Sequence, residues 1–236
     1  MVIAGIQKLG LVDFPGKVAC TVFTGGCNLR CPYCHNFELV EHPAPVMSTE
    51  ELFAFLGKRK GLLDGVCVTG GEPCVHSDLP EFLQKIRSMG FSVKLDTNGS
   101  FPDMVARVLG EKSIDYIAID IKNGPAAYAE TTGLKNYSME PLRKTLSLVM
   151  DSEIDWELRT TVVKPFHTVE TVSAMRDFLA EVLGEKGRKI PHYYLQKFVD
   201  RDTVPFAGLQ APSDEELAEF LAIMSPLAEH AAVRGE

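Results

Sequence analysis

Runs rich in β-branched and aromatic residues alternate along this chain with segments whose apolar residues recur every three or four positions. A period of two marks strands and one near 3.6 marks amphipathic helices, so the pattern predicts a β-then-α rhythm. Residues 18–24 are apolar on both faces, as a buried parallel strand is, and Gly25-Gly26 ends them. Ser48-Thr49-Glu50-Glu51 has the form of a capping box, and the helix it opens carries Leu52, Phe55 and Leu56 on one face. Further strands are predicted at 64–69, 91–96, 116–121, 155–163 and 192–198. Between them, Leu79, Phe82, Leu83 and Ile86 mark one helix, residues 102–109 a shorter one, and Leu142, Leu146, Val149 and Met150 a third opened by Pro141. Val172, Met175, Leu179 and Val182 mark the next. Ser213 and Glu216 form a second capping box for a last helix bearing Leu217, Phe220, Leu221 and Met224.

Six β-strand and α-helix units in series imply a parallel sheet, because each crossover helix returns the chain to start the next strand in the same direction. Right-handed crossovers curl such a sheet, and six units fall short of the eight of a closed barrel. The expected fold is α/β, an open partial (β/α)6 barrel, with a flat doubly wound sheet as the alternative. Residues 1–236 are expected to form a single domain, with 1–17 as an irregular lead-in.

Composition narrows the function. The 236 residues are 45% hydrophobic with a formal charge of −8, and the pI is near 5.3. An acidic chain lacks the clustered basic surface that phosphate contacts require, which argues against nucleic acid as a partner. No apolar stretch approaches membrane-spanning length and residues 1–6 lack a basic region before a long apolar run, so the expectation is a cytoplasmic protein with no membrane partner. Three of the six cysteines crowd one loop, which favours metal chemistry over cross-links.

The residues with chemistry to offer all follow strands. Cys27, Cys31 and Cys34 come after the first, Gly70-Gly71-Glu72 after the second, Asp96-Thr97-Asn98-Gly99 at the end of the third, and Asp120-Ile121-Lys122 at the end of the fourth. Parallel α/β folds place their sites at the C-terminal ends of strands, so these segments are expected to converge. Three thiolates cannot fill a four-ligand site, so one coordination position is left to another group. A zinc-stabilised binding module with His35 or Cys20 as fourth ligand is the alternative. It is weakened because His35 adjoins Cys34 and Cys20 lies within a strand.

Cys-x3-Cys-x2-Cys with Tyr33 before the last cysteine resembles the signature of radical S-adenosylmethionine enzymes. The resemblance implies a four-iron, four-sulfur cluster on Cys27, Cys31 and Cys34, with S-adenosylmethionine chelating the open iron. Electron transfer to the sulfonium then yields a 5′-deoxyadenosyl radical that abstracts a hydrogen atom from the substrate. Gly70-Gly71-Glu72 resembles the family segment that meets the methionine amino group; glycines admit a ligand closely and a carboxylate suits an ammonium. Cys34-His35-Asn36, Asp96-Thr97-Asn98-Gly99, Asp120-Ile121-Lys122 and 158–163 together are similar to the activating enzymes of glycyl radical proteins. The full pattern resembles the anaerobic ribonucleoside-triphosphate reductase activating proteins.

That likeness implies Asp96, Lys122 and Arg159 around the methionine carboxylate and ribose, with His35 and the Tyr33 backbone near the adenine. It further implies a monovalent cation on Asp96, Thr97 and Asp120, a glycyl radical protein as substrate, and a flavodoxin or ferredoxin-type electron donor. No catalytic side chain is needed, since the cofactor carries the radical. The plainer reading of Lys122 and Arg159 is that they pair with Asp120 or Asp96. An enzyme similar to 7-carboxy-7-deazaguanine synthases is the small-molecule alternative, disfavoured because those show Glu-Thr-Asn-Gly and Ser-Pro-Lys at these places. Cys74 is read as a pocket-wall residue or a redox-active thiol; Cys20, Cys67, Trp156, Tyr193 and Tyr194 are read as packing.

Overall fold

A computed structural model of the chain describes residues 1–234. The elements run β1 (Ile3–Gly10), β2 (Ala19–Thr24), α1 (Phe37–Glu41), α2 (Thr49–Gly57), β3 (Gly65–Gly70), α3 (Leu79–Ser88), β4 (Ser92–Thr97), α4 (Pro102–Gly110) and β5 (Tyr116–Asp120). They continue with α5 (Pro125–Thr131), α6 (Glu140–Met150), β6 (Asp155–Val162), α7 (Val169–Gly184), β7 (Ile190–Lys197), α8 (Asp214–Met224) and β8 (Ala228–Arg234). Strand order in the sheet follows chain order. The chain gathers into two compact units, Met1–Asn28 with Asn36–Ala118, and Leu29–His35 with Ile119–Glu236.

In the first unit β1 lies antiparallel to β2, while β2, β3 and β4 run parallel. The register sets Thr21, Cys67 and Lys94 in one row across the three parallel strands. On the helix side Leu79, Leu83 and Ile86 of α3 are fully enclosed, and burying each such side chain contributes about 1.5–3 kcal/mol. The expected capping box is present at α2, where Ser48 accepts from Glu51 N–H and Glu51 accepts from Ser48 N–H. Phe14 packs with Ala19 and Tyr116 at the N-terminal ends of the strands, away from the ends that carry the cysteine loop.

In the second unit β6, β7 and β8 run parallel. The capping box at Ser213 and Glu216 opens α8. Glu157 of β6 is wholly buried and accepts from both terminal nitrogens of Arg234 at 2.7 Å, which ties the last strand to β6.

The α/β class with parallel strands joined by helices is as expected, but six strands become eight. The lead-in predicted as irregular over 1–17 is irregular only after Gly10, because Ile3–Gly10 forms β1. Its glycines and exposed polar residues hide the strand from a hydrophobic pattern, whereas pairing with β2 supplies its backbone partners. β8 was missed for a similar reason: Ala-Glu-His-Ala-Ala-Val-Arg holds one β-branched residue. The short helices α1 and α5 are too brief to show periodicity.

Candidate active site

The cysteine loop begins where β2 ends. Its base is fixed by backbone alone: Gly26 N–H donates to Leu39 and Glu72 N–H donates to the Gly26 carbonyl, both at 2.8 Å. A Cβ on Gly71 would stand 2.0 Å from the Gly26 carbonyl oxygen, so only glycine permits this approach. Gly70 offers its carbonyl to the Asn36 amide at 3.1 Å. Gly70-Gly71 thus serves to seat the cysteine loop, a role the sequence reading did not foresee.

Glu72 is enclosed, 1% exposed. One carboxylate oxygen accepts from Thr97 Oγ1 at 2.8 Å and Cys74 N–H at 3.0 Å, and the other accepts from Asn98 N–H at 2.6 Å. Burial pushes the Glu72 carboxyl up, and the Asn98, Cys74 and Thr97 donors pull it back toward the charged form. The carboxylate expected to meet an ammonium is therefore occupied in joining the ends of β3 and β4. Asn98, to which the sequence reading gave no role of its own, donates to Asn28 Oδ1 at 2.8 Å and lies 3.9 Å from Cys27 Sγ. Asp96 is ion-paired with Lys94.

In the second unit the loop carries Cys31, Tyr33, Cys34 and His35. Arg30 N–H donates to the Thr132 carbonyl at 2.9 Å, and Gly133, at φ +69°, comes so close that a Cβ would stand 2.0 Å from the Arg30 carbonyl oxygen. Cys31 is buried and Cys34 is half-buried. Burial pushes the Cys31 thiol up to about 11, opposed by Lys122. Tyr33 is buried against Phe166 with ring centroids 6.2 Å apart, and among the described residues its hydroxyl finds no hydrogen-bond partner. His35 stacks on Phe198 at 5.4 Å and 11°, its Nε2 2.6 Å from the Val199 carbonyl.

Asp120, at the end of β5, is faced by Arg159 Nε at 2.9 Å and Lys122 Nζ at 3.3 Å. Burial works to raise its carboxyl, but the two cations outweigh burial and hold it well below the usual range. Burial likewise works against the Lys122 charge, and Asp120 chiefly overrides it, so the ammonium is held above its ordinary value. Among the described residues Glu157 lies 4.0 Å from Arg159 and pairs with Arg234, which links the Asp120 cluster to the last strand and keeps cationic groups that suit an anionic ligand at this strand end.

Lys122 is held from behind by residues absent from the sequence reading. His167 Nε2 donates to the Lys122 carbonyl at 2.8 Å, Val163 N–H donates to His167 Nδ1 at 3.2 Å, and burial keeps the ring neutral. Asn123 donates to the Phe166 carbonyl and to Thr131 Oγ1, each at 2.9 Å. The only hint in sequence was Asn123 beside Gly124, a turn signal. Cys20, Cys67 and Cys74 are buried, Tyr193 hydrogen-bonds Thr160 at 2.8 Å, and Trp156 is buried, so all are packing residues.

The chemistry of the donor set fits an iron-sulfur cluster: Cys27 of the first unit has the Asn98 amide 3.9 Å from its sulfur, and the second unit supplies the thiols of Cys31 and Cys34. In a cluster each thiolate takes its own iron, so the sulfurs need not meet at one point. Among the described residues no three His, Cys, Asp or Glu side chains gather to hold a single metal ion. A monovalent cation fits less well, since Asp96 is already paired with Lys94, Asp120 with Arg159 and Lys122, and Thr97 donates its hydroxyl to Glu72.

Residues 21–179 match the Radical SAM superfamily. A Methanocaldococcus jannaschii protein provisionally described as a glycyl-radical enzyme activating enzyme is 29% identical over 98% of this chain and 95% of its own. The pyruvate formate-lyase-activating enzyme of Listeria monocytogenes is 25% identical over 90% of this chain and 91% of its own. Among solved structures, Streptococcus suis SuiB bound to S-adenosylmethionine superposes with a TM-score of 0.68 at 16% identity, over 90% of this chain; the chain spans 49% of that protein's length. Among the described residues no helix is long and apolar enough to cross a membrane. Family membership implies a four-iron, four-sulfur cluster and S-adenosylmethionine, and it sets aside the zinc module: this chain is an enzyme of the radical SAM superfamily.

Proposed function

We propose that the protein is a glycyl radical enzyme activating enzyme, taking a hydrogen atom from a backbone glycine of a partner, with anaerobic ribonucleoside-triphosphate reductase as the partner. The activating-enzyme reading is carried by likeness along nearly the whole chain to a relative described as an activating enzyme, and the choice of the reductase rests on the resemblance of the motifs in the sequence. The family match runs through residues of both compact units, which supports reading 1–236 as one radical SAM domain.

When bound, the cluster and S-adenosylmethionine supply the 5′-deoxyadenosyl radical. The protein's own residues bind and orient. Cys27, Cys31 and Cys34 hold the cluster. Gly70 and Gly71 seat the cysteine loop, Glu72 fixes Thr97 and Asn98, and backbone at this turn faces the methionine amino group. Lys122 and Arg159, with Asp120 setting their positions, neutralise the methionine carboxylate. Asp96 would join them around the methionine carboxylate and ribose. His35 on Phe198, with the Tyr33 backbone, offers a flat apolar shelf for the adenine. A flavodoxin or ferredoxin-type protein is the electron donor, and the reaction belongs to the cytoplasm.

The test is anaerobic: reconstituted protein, reductant, S-adenosylmethionine and the reductase, read by electron paramagnetic resonance. A glycyl doublet is expected. Its absence with the reductase, alongside uncoupled cleavage of S-adenosylmethionine, removes this partner; absence with every glycyl radical protein tried removes the reading.

A further inference from the structure

Lys94 is a charged side chain that neither the chain pattern nor the family resemblance assigns. It stands within β4 with its side chain 0% exposed. The register places it beside Cys67 of β3, whose Sγ is 4.0 Å from Nζ. The ammonium lies 5.8 Å from the centroid of the Tyr116 ring, which rests in turn on Phe14. An ammonium enclosed by a thiol, a phenol ring and strand backbone is costly unless a carboxylate answers it. Asp96, two residues on and therefore on the same face, is that carboxylate. Asp96 leads directly into Thr97 and Asn98, the residues Glu72 grips.

We propose that Lys94 is the built-in counter-cation of Asp96, a positioning residue that holds this carboxylate in place for S-adenosylmethionine without uptake of a monovalent cation. This rests on the reading above, in which Asp96 faces the bound cofactor. An ammonium on a four-carbon stem anchored in a strand is present once per chain and cannot diffuse away, whereas an ion must be recruited from solution. A second positive charge placed beside the first would be repelled by it. The sequence expectation was a monovalent cation on Asp96, Thr97 and Asp120, and at Asp96 an amine of the chain takes that place.

A pair with a merely structural purpose would leave cofactor affinity alone when replaced. The experiment is an anaerobic titration of the cluster-loaded protein with S-adenosylmethionine in potassium chloride and in choline chloride at equal ionic strength. The wild-type dissociation constant is expected to agree within about twofold between the two salts, and a tightening of about tenfold or more in potassium overturns the inference. This arm needs no variant. Lys94→Met is expected to bind at least about tenfold more weakly in choline and to recover part of that in potassium, as a small ion enters beside Asp96. A folded Lys94→Met protein that binds as the wild type does in both salts also overturns it. Wild-type protein that binds no S-adenosylmethionine in either salt removes the functional reading and this inference with it, an outcome distinct from salt dependence.

Discussion

Glu72 and Asp120 are both carboxylates at strand ends, and the chain holds them by opposite means. Glu72 is gripped by the neutral donors Thr97, Asn98 and Cys74 in a fully enclosed place. Asp120 is held by the cations Arg159 and Lys122 where its side chain keeps 29% exposure. Neutral donors fix geometry: each oxygen has a direction, and salt does not loosen it. Cations fix charge, and they bring to the strand end the kind of group that an anionic ligand meets. The first arrangement builds the frame of the site, and the second builds its attraction for an anion.

Removing the brace should have the largest effect. Glu72→Ala strands three buried donors, and at about 1–3 kcal/mol each the loss is on the order of 4 kcal/mol. Urea unfolding of the cluster-free protein reads this directly; a variant as stable as wild type would show that the grip is incidental. Asp120→Asn comes second, at about 2 kcal/mol, because partial exposure lets water screen the two cations it deserts. Its sharper signature is expected in cofactor binding, where Lys122 and Arg159 lose their alignment. If Asp120→Asn proved more damaging to folding than Glu72→Ala, the division between frame and attraction would be reversed.

The smallest effect is on pH. Asp120 has a folded value below its ordinary one, so its contribution is complete above the unfolded value of about 3.9 and fades as pH falls below that toward the folded value. The stability difference between wild type and Asp120→Asn should therefore hold steady from about pH 7 to 5 and shrink below about pH 4. Glu72 is raised, so its own contribution has the opposite sign, gaining as pH falls through its folded value toward the ordinary range. Unfolding curves at a series of pH values test this; a difference that shrank already near pH 6 would contradict the Asp120 pairing.

Much of the frame was legible because local rules and global fold agree. The boxes at Ser48 and Ser213 form as read, and the apolar stripe of α3 is the buried one. The pairing of Lys122 and Arg159 with Asp120 was the plainer alternative that the sequence offered, beside Asp96 as partner, and their preferred reading was as ligands of the cofactor. What escaped reading was the meaning of buried polar groups. Lys94 reads as a surface residue in any hydrophobic pattern, and only the tertiary enclosure of β4 turns it into a buried charge. Glu72 was assigned to a ligand because a carboxylate suits an ammonium, whereas its neighbours Thr97 and Asn98, distant in sequence, claim it first. His167 gave no signal at all, since its partner is a backbone carbonyl of Lys122.

The close seating of Gly71 on Gly26 bears on how the cluster arrives. Gly25 N–H reaches the Val2 carbonyl, Gly26 N–H the Leu39 carbonyl, and Glu72 N–H the Gly26 carbonyl, each a bond between backbone groups. The approach to Cys27 is therefore held by the fold's own backbone pairing, and that pairing offsets the conformational entropy of fixing it, about 1–2 kcal/mol per residue, without calling on cluster ligation. Cluster capture at Cys27 thus draws on a backbone whose bonds the fold itself supplies.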